Sequence, residues 1–218
     1  MEVAELAPGL WRWTGWHEEW REQVGCVYYE TAEAIVLIDP LLPPEDAERF
    51  LSALDRDVAK AAAPVHLLLT VYWHVRSATA LSERYTGRIW APRAARPAIE
   101  RRGVAVSDPF TPGAELPGGL RAYPTGRGSE VAYWLAGPRA LVFGDVLLGD
   151  EQGGIRICPD SWLPRQGGRA RLAGPLADLA RLEPLLLVPS HGAPVLTEAS
   201  ARLSALSAEA ARNRSDQG

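Results

Sequence analysis

Residues 65–77 read Val-His-Leu-Leu-Leu-Thr-Val-Tyr-Trp-His-Val-Arg-Ser, an apolar run that leads directly into a polar and aromatic turn. A short, continuous apolar run that ends in a turn predicts a strand buried on both faces. The turn carries a histidine, His74, and a cation, Arg76, two positions apart. Because binding and catalytic side chains concentrate in loops held by a rigid scaffold, this strand end is the first candidate for a functional site.

Three other apolar runs also end in polar groups. They are residues 36–39 (Val-Leu-Ile-Asp), 142–145 (Val-Phe-Gly-Asp) and 188–192 (Val-Pro-Ser-His-Gly). In order and spacing, the four strand ends resemble the metallo-β-lactamase-fold hydrolases, whose first strand-end motif is T-H-x-H-x-D-H. This resemblance covers most of the chain and makes each loop comparable with a loop of that family.

The elements along the chain predict an α/β (α+β) fold, a four-layer αββα sandwich. Strands come first and strand–helix alternation follows, twice over, which indicates two mixed β-sheets packed face to face with helices outside. We expect a single metallo-β-lactamase-like domain over residues 1–218, with pseudo-repeat halves of about 1–103 and 104–211 and a disordered tail at 212–218. Among the helices, we expect one from about residue 76 to 85 and one from 169 to 182.

Composition excludes several classes of function. The net charge of −4 argues against nucleic-acid binding, which normally needs a basic face. The longest apolar runs are too short for a membrane-spanning helix, and the acidic first five residues lack a signal-peptide core. We therefore predict a cytoplasmic protein in which the two cysteines, Cys26 and Cys158, are thiols.

The motif at residues 70–77 aligns with the family motif in two ways. Without a gap, no metal ligand survives. With one inserted residue, Tyr72-Trp73-His74 matches H-x-H, so His74 keeps the second ligand position while Arg76 and Ser77 replace the aspartate and the last histidine. A cation at a position that holds a dication is strongly repulsive, so Arg76 argues against a second metal.

The remaining strand ends carry the other counterparts. The resemblance implies that Asp145 corresponds to the bridging carboxylate, His191 to the last histidine, and Asp39 to a carboxylate that supports the site without binding metal. The family's P-G-H-T-x-G-type turn has no histidine here and contains Arg127 instead. His74, Asp145 and His191 are thus the candidate ligands for zinc, iron or manganese.

We expect no metal in the native protein. In that case Asp145 pairs with Arg76 or Arg127, because a buried carboxylate needs such a partner. The first hypothesis for function is a degenerate site that binds a small, anionic molecule through Arg76 and Arg127, flanked by Tyr72 and Trp73, without zinc hydrolysis.

Two alternatives remain open. One is a mononuclear metal-dependent hydrolase of ester, thioester or lactone-type bonds, with His74, Asp145 and His191 as its catalytic and metal-binding residues. The other is a partner-binding module or homodimer that uses the tryptophans crowded into residues 11–20. Alternation along a strand puts Trp11 and Trp13 on one face, which also suits a core role. We expect His17 in a loop beside the site and His66 in the core.

Overall fold

The computed structural model of the protein describes residues 1–212, which form two compact units. The first unit comprises residues 1–111 with 115–119, and the second comprises residues 112–114 with the described residues from 120 onward. The single domain expected from the sequence stays a prediction. Of the expected tail, Arg212 ends the last helix, and the other six residues lie outside the described part of the chain.

The first unit is built on a seven-stranded mixed sheet. Its strands lie side by side in chain order, antiparallel from the first to the fourth and parallel from the fourth to the seventh. They are β1 (Val3–Ala7), β2 (Leu10–His17), β3 (Glu22–Glu30), β4 (Ile35–Ile38), β5 (Val65–Leu68), β6 (Arg88–Pro92) and β7 (Asp108–Phe110). The same unit contains the short strand β8 (Glu115–Leu116). Because β4 and β5 are adjacent and parallel, their carboxyl ends bring Asp39 next to the loop that begins at Leu69.

Three helices connect the parallel strands of the first unit. They are α1 (Ala47–Ala61), α2 (Ala78–Tyr85) and α3 (Arg96–Glu100). The apolar side chains of α1 recur at helical spacing, and Leu54 is buried while Phe50, Leu51 and Val58 pack against the core of this unit. The sequence predicted this face of α1, and the structure confirms it.

The second unit has its own sheet and core. Its strands lie in the order β14 (Leu186–Pro189), β11 (Ala140–Phe143), β10 (Val131–Leu135) and β9 (Leu120–Pro124), with only β11 and β14 parallel. A separate hairpin consists of β12 (Leu147–Gly149) and β13 (Ile155–Ile157). Two helices, α4 (Ala173–Ala180) and α5 (Ala199–Arg212), pack with these strands around one buried cluster. The carboxyl ends of β11 and β14 coincide, so Asp145 and His191 follow neighbouring strands.

Two expected helices are present with different bounds, and the expected loop position of His17 is wrong. The helix expected from residue 76 begins at Ala78, since Arg76 has a φ of 36° in the left-handed region. The helix expected over 169–182 is a 3-10 turn, Gly168–Leu172, followed by the shorter α4. His17 is the last residue of β2 and pairs with Glu22 of β3, so it does not lie in a loop.

Among residues 1–212, no helix combines the length and the apolar character that crossing a bilayer requires. The predicted cytoplasmic location stays a prediction.

Candidate functional site

In the first unit, His74 is anchored by a buried carboxylate. The loop after β5 folds back so that His74 Nδ1 lies 2.8 Å from Asp39 Oδ2. The same carboxylate accepts a hydrogen bond from the backbone N–H of Thr70 at 2.8 Å and one from its hydroxyl at 2.5 Å. His74 and Thr70 are fully buried, and Asp39 is 2% exposed. A carboxylate only accepts hydrogen bonds, so Nδ1 of His74 carries a proton, and in the neutral ring Nε2 carries the lone pair.

Arg76 reaches back across the first unit. Its guanidinium donates hydrogen bonds to the carbonyl oxygens of Asp39 at 2.8 Å and Gly25 at 3.1 Å. It also lies over the ring of Trp20, 5.6 Å from the ring centroid, within the range of a cation–π contact. Trp20 in turn stacks on His17, with ring centroids 3.9 Å apart. The cation predicted from the sequence is therefore held by backbone carbonyls and an aromatic ring of its own unit.

The other positions of the first motif have structural contacts. The Ser77 hydroxyl accepts a hydrogen bond from the backbone N–H of Leu42 at 2.9 Å. Tyr72 and Trp73 are half-buried and meet edge to face with ring centroids 4.5 Å apart. The Arg102 guanidinium lies 5.5 Å from the Tyr72 ring centroid. Phenol and hydroxyl groups at these places are poor substitutes for the imidazoles of the family motif.

In the second unit, Asp145 and His191 form a buried pair. His191 Nε2 lies 3.1 Å from Asp145 Oδ1, and the two residues are 9% and 4% exposed. The parallel pairing of β11 with β14 produces this contact, because the two residues follow partnered strand ends. The backbone carbonyl of His191 accepts a hydrogen bond from Gly149 N at 2.8 Å, which ties the loop after β14 to β12.

Arg127 places a guanidinium beside the same carboxylate. Its Nη1 lies 3.7 Å from Asp145 Oδ2 and 2.7 Å from Glu130 Oε2. The Arg127 Nε–H donates to the carbonyl of Trp162 at 3.0 Å, and the guanidinium lies 5.9 Å from the centre of the Trp162 ring. The sequence predicted that Asp145 pairs with Arg76 or Arg127, and the contact with Arg127 is confirmed.

Glu130 is the residue that sequence reasoning missed. Its side chain is fully buried, and its Oε1 accepts hydrogen bonds from the backbone N–H groups of Asp145 at 3.0 Å and Val146 at 2.8 Å. Burial raises the pKa of Glu130 to about 7, although Arg127 acts in the opposite direction. The only sequence signal was an acidic residue directly before the apolar strand β10.

Neither cysteine has the surroundings of a nucleophile. Cys26 and Cys158 are buried and reduced. Burial raises the pKa of Cys158 to about 11, more than the nearby Arg127 lowers it, and burial also raises the pKa of Cys26. Both are therefore protonated at neutral pH and unreactive. His66, expected in the core, is half-buried on β5 and accepts a hydrogen bond from Trp90 Nε1 at 3.1 Å.

No protein-family profile and no curated protein matches the chain. Solved structures match it over nearly their whole length. The structure of VMB-1 at pH 5.5 is 13% identical, covers 96% of this chain and 97% of its own, and has a TM-score of 0.71. DIM-1 metallo-beta-lactamase gives the same four values.

The metallo-beta-lactamase from Pontibacter korlensis is 16% identical with a TM-score of 0.71, over 95% of this chain and 98% of its own. Identities this low establish the fold and nothing finer. They confirm the fold class predicted from the four strand ends: the chain has the αββα fold of the metallo-β-lactamases.

Proposed function

We propose that this protein has a degenerate metallo-β-lactamase site and binds a small, anionic molecule without zinc hydrolysis. The contact between Arg127 and Asp145 carries the proposal. The guanidinium lies 3.7 Å from the carboxylate that corresponds to the family's bridging ligand and 2.7 Å from Glu130, so it is a cation fixed beside both carboxylates. A dication on Asp145 would stand within a few ångströms of this fixed cation, and the low polarity of a buried site makes that repulsion strong.

The first unit supports the same proposal. The one-residue insertion that keeps His74 puts Tyr72, Arg76 and Ser77 at the other three ligand positions. None of these three offers an imidazole or a carboxylate, and a metal needs ligand number and geometry together. A dinuclear centre of the family type therefore does not fit these residues.

The anionic character of the ligand follows from the same substitutions. Where the family supplies an aspartate and a histidine, this chain supplies two arginines, Arg76 and Arg127. Guanidinium groups bind carboxylates and phosphates with paired hydrogen bonds. Half-buried Tyr72 and Trp73 supply apolar contact in the loop that carries Arg76. We therefore expect a ligand that combines a negative charge with an apolar or aromatic part.

Benzoate is a suitable first probe, with benzyl alcohol as its neutral counterpart. We expect saturable benzoate binding in isothermal titration calorimetry and a loss of affinity of about tenfold or more in Arg76→Gln, the size of one charge-assisted contact. Arg88→Gln is the matched control, because Arg88 is an exposed arginine of the same unit that pairs with Asp108. Equal binding of benzyl alcohol, or equal benzoate affinity in wild type and Arg76→Gln, would count against an anion site.

A mononuclear metal-dependent hydrolase is the second candidate. Two contacts favour it. Asp39 fixes His74 in the tautomer of a metal ligand, as carboxylates do for zinc-bound histidines, and Asp145 and His191 are close enough to share an ion. A bound metal would acidify a water and supply hydroxide for attack on an ester, thioester or lactone-type bond.

Metal analysis separates the two candidates. We expect protein purified without chelators or a metal-affinity tag to contain substoichiometric zinc, iron and manganese, and to take up no zinc in a calorimetric titration. One equivalent of metal that disappears in the His74→Ala and His191→Ala double variant would overturn the degenerate-site proposal in favour of the hydrolase. The homodimer suggested by the tryptophan-rich segment stays a prediction.

A further inference from the structure

The first unit contains a second concave site, separate from the candidate ligand positions. It is a groove of about 690 Å³ between α1 and the face of the sheet that β1, β2 and β3 share. We name it the α1 groove and define it by Trp11, Trp13 and Tyr28 on the sheet and by Phe50 and Asp57 on the helix. Its volume lies within the range of small-molecule sites.

The walls of the α1 groove are aromatic because of strand register. Trp11 and Trp13 lie two residues apart on β2 and point to the same face, and Trp11 is paired with Tyr28 on β3. Trp13 packs against Phe50 of α1 with ring centroids 5.1 Å apart, and its Nε1 donates to the carbonyl of Leu41. Trp13 is thus buried in the core, as alternation allowed, while Trp11 is 37% exposed and faces the groove.

One part of the groove is acidic. The Tyr28 hydroxyl donates a hydrogen bond to Glu30 Oε2 at 2.7 Å, which orients the carboxylate. Burial, then Glu30 and Asp57, raise the pKa of Tyr28, so the phenol stays a donor throughout the physiological range. Three carboxylates, those of Glu30, Asp46 and Asp57, line the groove together with three cations, Arg49, Lys60 and the Met1 ammonium. The ammonium lies 3.8 Å from Asp46, so the acidic part is the one around Glu30 and Asp57, which both act on Tyr28. The ammonium of Met1, also at the groove, is 3.0 Å from Glu45.

We propose that the α1 groove binds a small organic ammonium ion through the faces of Trp11 and Tyr28 and the carboxylate of Glu30. Aromatic faces attract cations because the ring quadrupole is negative above the ring, and aromatic cages are the usual receptors for quaternary ammonium groups. The carboxylate supplies the opposite charge, and Phe50 and Trp13 accept the apolar part of the ligand. This site is independent of the anion site proposed above and calls for a ligand of the opposite charge.

The test uses benzyltrimethylammonium on the full chain, with benzyl alcohol and benzoate as the neutral and anionic comparators. We expect saturable quenching of tryptophan fluorescence by the ammonium ion. In Trp11→Leu the affinity should fall by about 2- to 30-fold, the range of a cation–π contact. In Glu30→Gln, which removes an exposed charge, it should fall by up to about fivefold. Trp11 and Glu30 are both exposed, so neither change should alter the unfolding midpoint greatly.

Two variants outside the groove are matched controls. Trp162→Leu removes an exposed tryptophan of the second unit, and Glu33→Gln removes an exposed carboxylate of the first. Both should bind the ammonium ion as the wild type does. Equal binding of benzyl alcohol, unchanged affinity in Trp11→Leu, or the absence of saturation would each overturn the proposal. A dimer detected by light scattering would also overturn the proposal if Trp11→Leu alone made it dissociate, because a second copy of the chain would then cover the groove.

Discussion

Replacing Arg127 with methionine is expected to lower the free energy of unfolding by about 3–5 kcal/mol, the usual result of breaking a buried ion pair from one side. The change leaves Glu130, whose side chain is fully buried, and Asp145 without the guanidinium that lies 2.7 Å and 3.7 Å from their oxygens. Urea unfolding followed by circular dichroism measures the loss of free energy of unfolding. An unchanged dependence of that free energy on urea concentration shows that wild type and variant expose the same surface on unfolding.

The matched control for this change is Arg139→Met. Arg139 also pairs with a glutamate of the second unit, Glu183 at 3.1 Å, but both side chains are largely exposed. Exposed pairs contribute about 0–1 kcal/mol, so the control should lose little. If Arg127→Met were no more destabilising than Arg139→Met, Arg127 would not be the internal cation of this site, and the degenerate-site proposal would lose its main support.

The charge on Glu130 gives this prediction a pH dependence. The pKa of Glu130 is about 7 in the folded protein and 4.5 for the ordinary side chain, and removal of Arg127 raises the folded value further. An acid whose folded pKa is raised stabilises the protein at low pH, and this contribution is lost as the pH rises through the folded pKa. The cost of Arg127→Met should therefore be larger at pH 8 than at pH 5.5. Adding Glu130→Gln should recover part of it at pH 8, because the amide oxygen still accepts from backbone N–H groups.

The fold was predictable because its signals are local. The buried strands β4, β11 and β14 are continuous apolar runs that lead into polar turns, and α1 shows its apolar face at regular spacing. The strands that sequence reasoning missed, β1, β7, β8, β12 and β13, are only two to five residues long. Their formation depends on a neighbouring strand rather than on their own pattern.

The sequence indicated candidate site residues but not their contacts. The resemblance singled out Asp39, His74, Asp145 and His191, yet nothing local indicates that a glutamate such as Glu130 is buried. Its burial requires the β10–β11 pairing, which brings the backbone N–H groups of Asp145 and Val146 to its carboxylate. Such long-range hydrogen bonds leave no periodic trace in a sequence.

The contacts of Arg76 were likewise not predictable from the sequence. The sequence identified a cation at a ligand position, but the partners of that cation are the carbonyl groups of Gly25, within β3, and of Asp39, directly after β4. The left-handed backbone of Arg76 also moves the start of the helix from residue 76 to Ala78, an effect that residue type alone does not predict.

Replacing Asp39 with alanine is the second change for which we expect a large effect. Asp39 is the acceptor for three hydrogen bonds from two buried residues, Thr70 and His74. Alanine leaves the Thr70 N–H without this acceptor, whereas the Thr70 hydroxyl and His74 Nδ1 lie 3.2 Å apart and can pair with each other. Asp39 also has a φ of 48°, and a left-handed alanine adds strain of about 1 kcal/mol. We expect the free energy of unfolding to fall by about 2–4 kcal/mol, the sum of that strain and the penalty for one unsatisfied buried donor.

The matched control is Asp55→Ala. Asp55 also accepts three hydrogen bonds from two residues of the first unit, Arg84 and Tyr85, but it lies at the surface, where water replaces lost partners. Its replacement should change stability far less than that of Asp39. Equal losses in the two variants would mean that the buried Asp39 contacts contribute no more than a surface cluster.

Asp39→Asn separates the electrostatic role of this carboxylate from its packing. The Thr70 N–H can only donate, so the amide oxygen must face it and the amide NH₂ must face the Thr70 hydroxyl and His74 Nδ1. The hydroxyl can rotate to accept, and the imidazole can accept at Nδ1 only if its proton moves to Nε2. We therefore expect a loss of only about 1–2 kcal/mol, one altered hydrogen bond, together with a change of tautomer.

Nitrogen-15 NMR of the His74 ring distinguishes the two tautomers directly. The wild type should show the proton on Nδ1, and Asp39→Asn should show it on Nε2, the nitrogen that any metal or proton donor would need as an acceptor. If the wild-type ring already carried its proton on Nε2, Asp39 would not set the state of His74. The carboxylate at the end of β4 would then support only the loop and not the chemistry of the histidine.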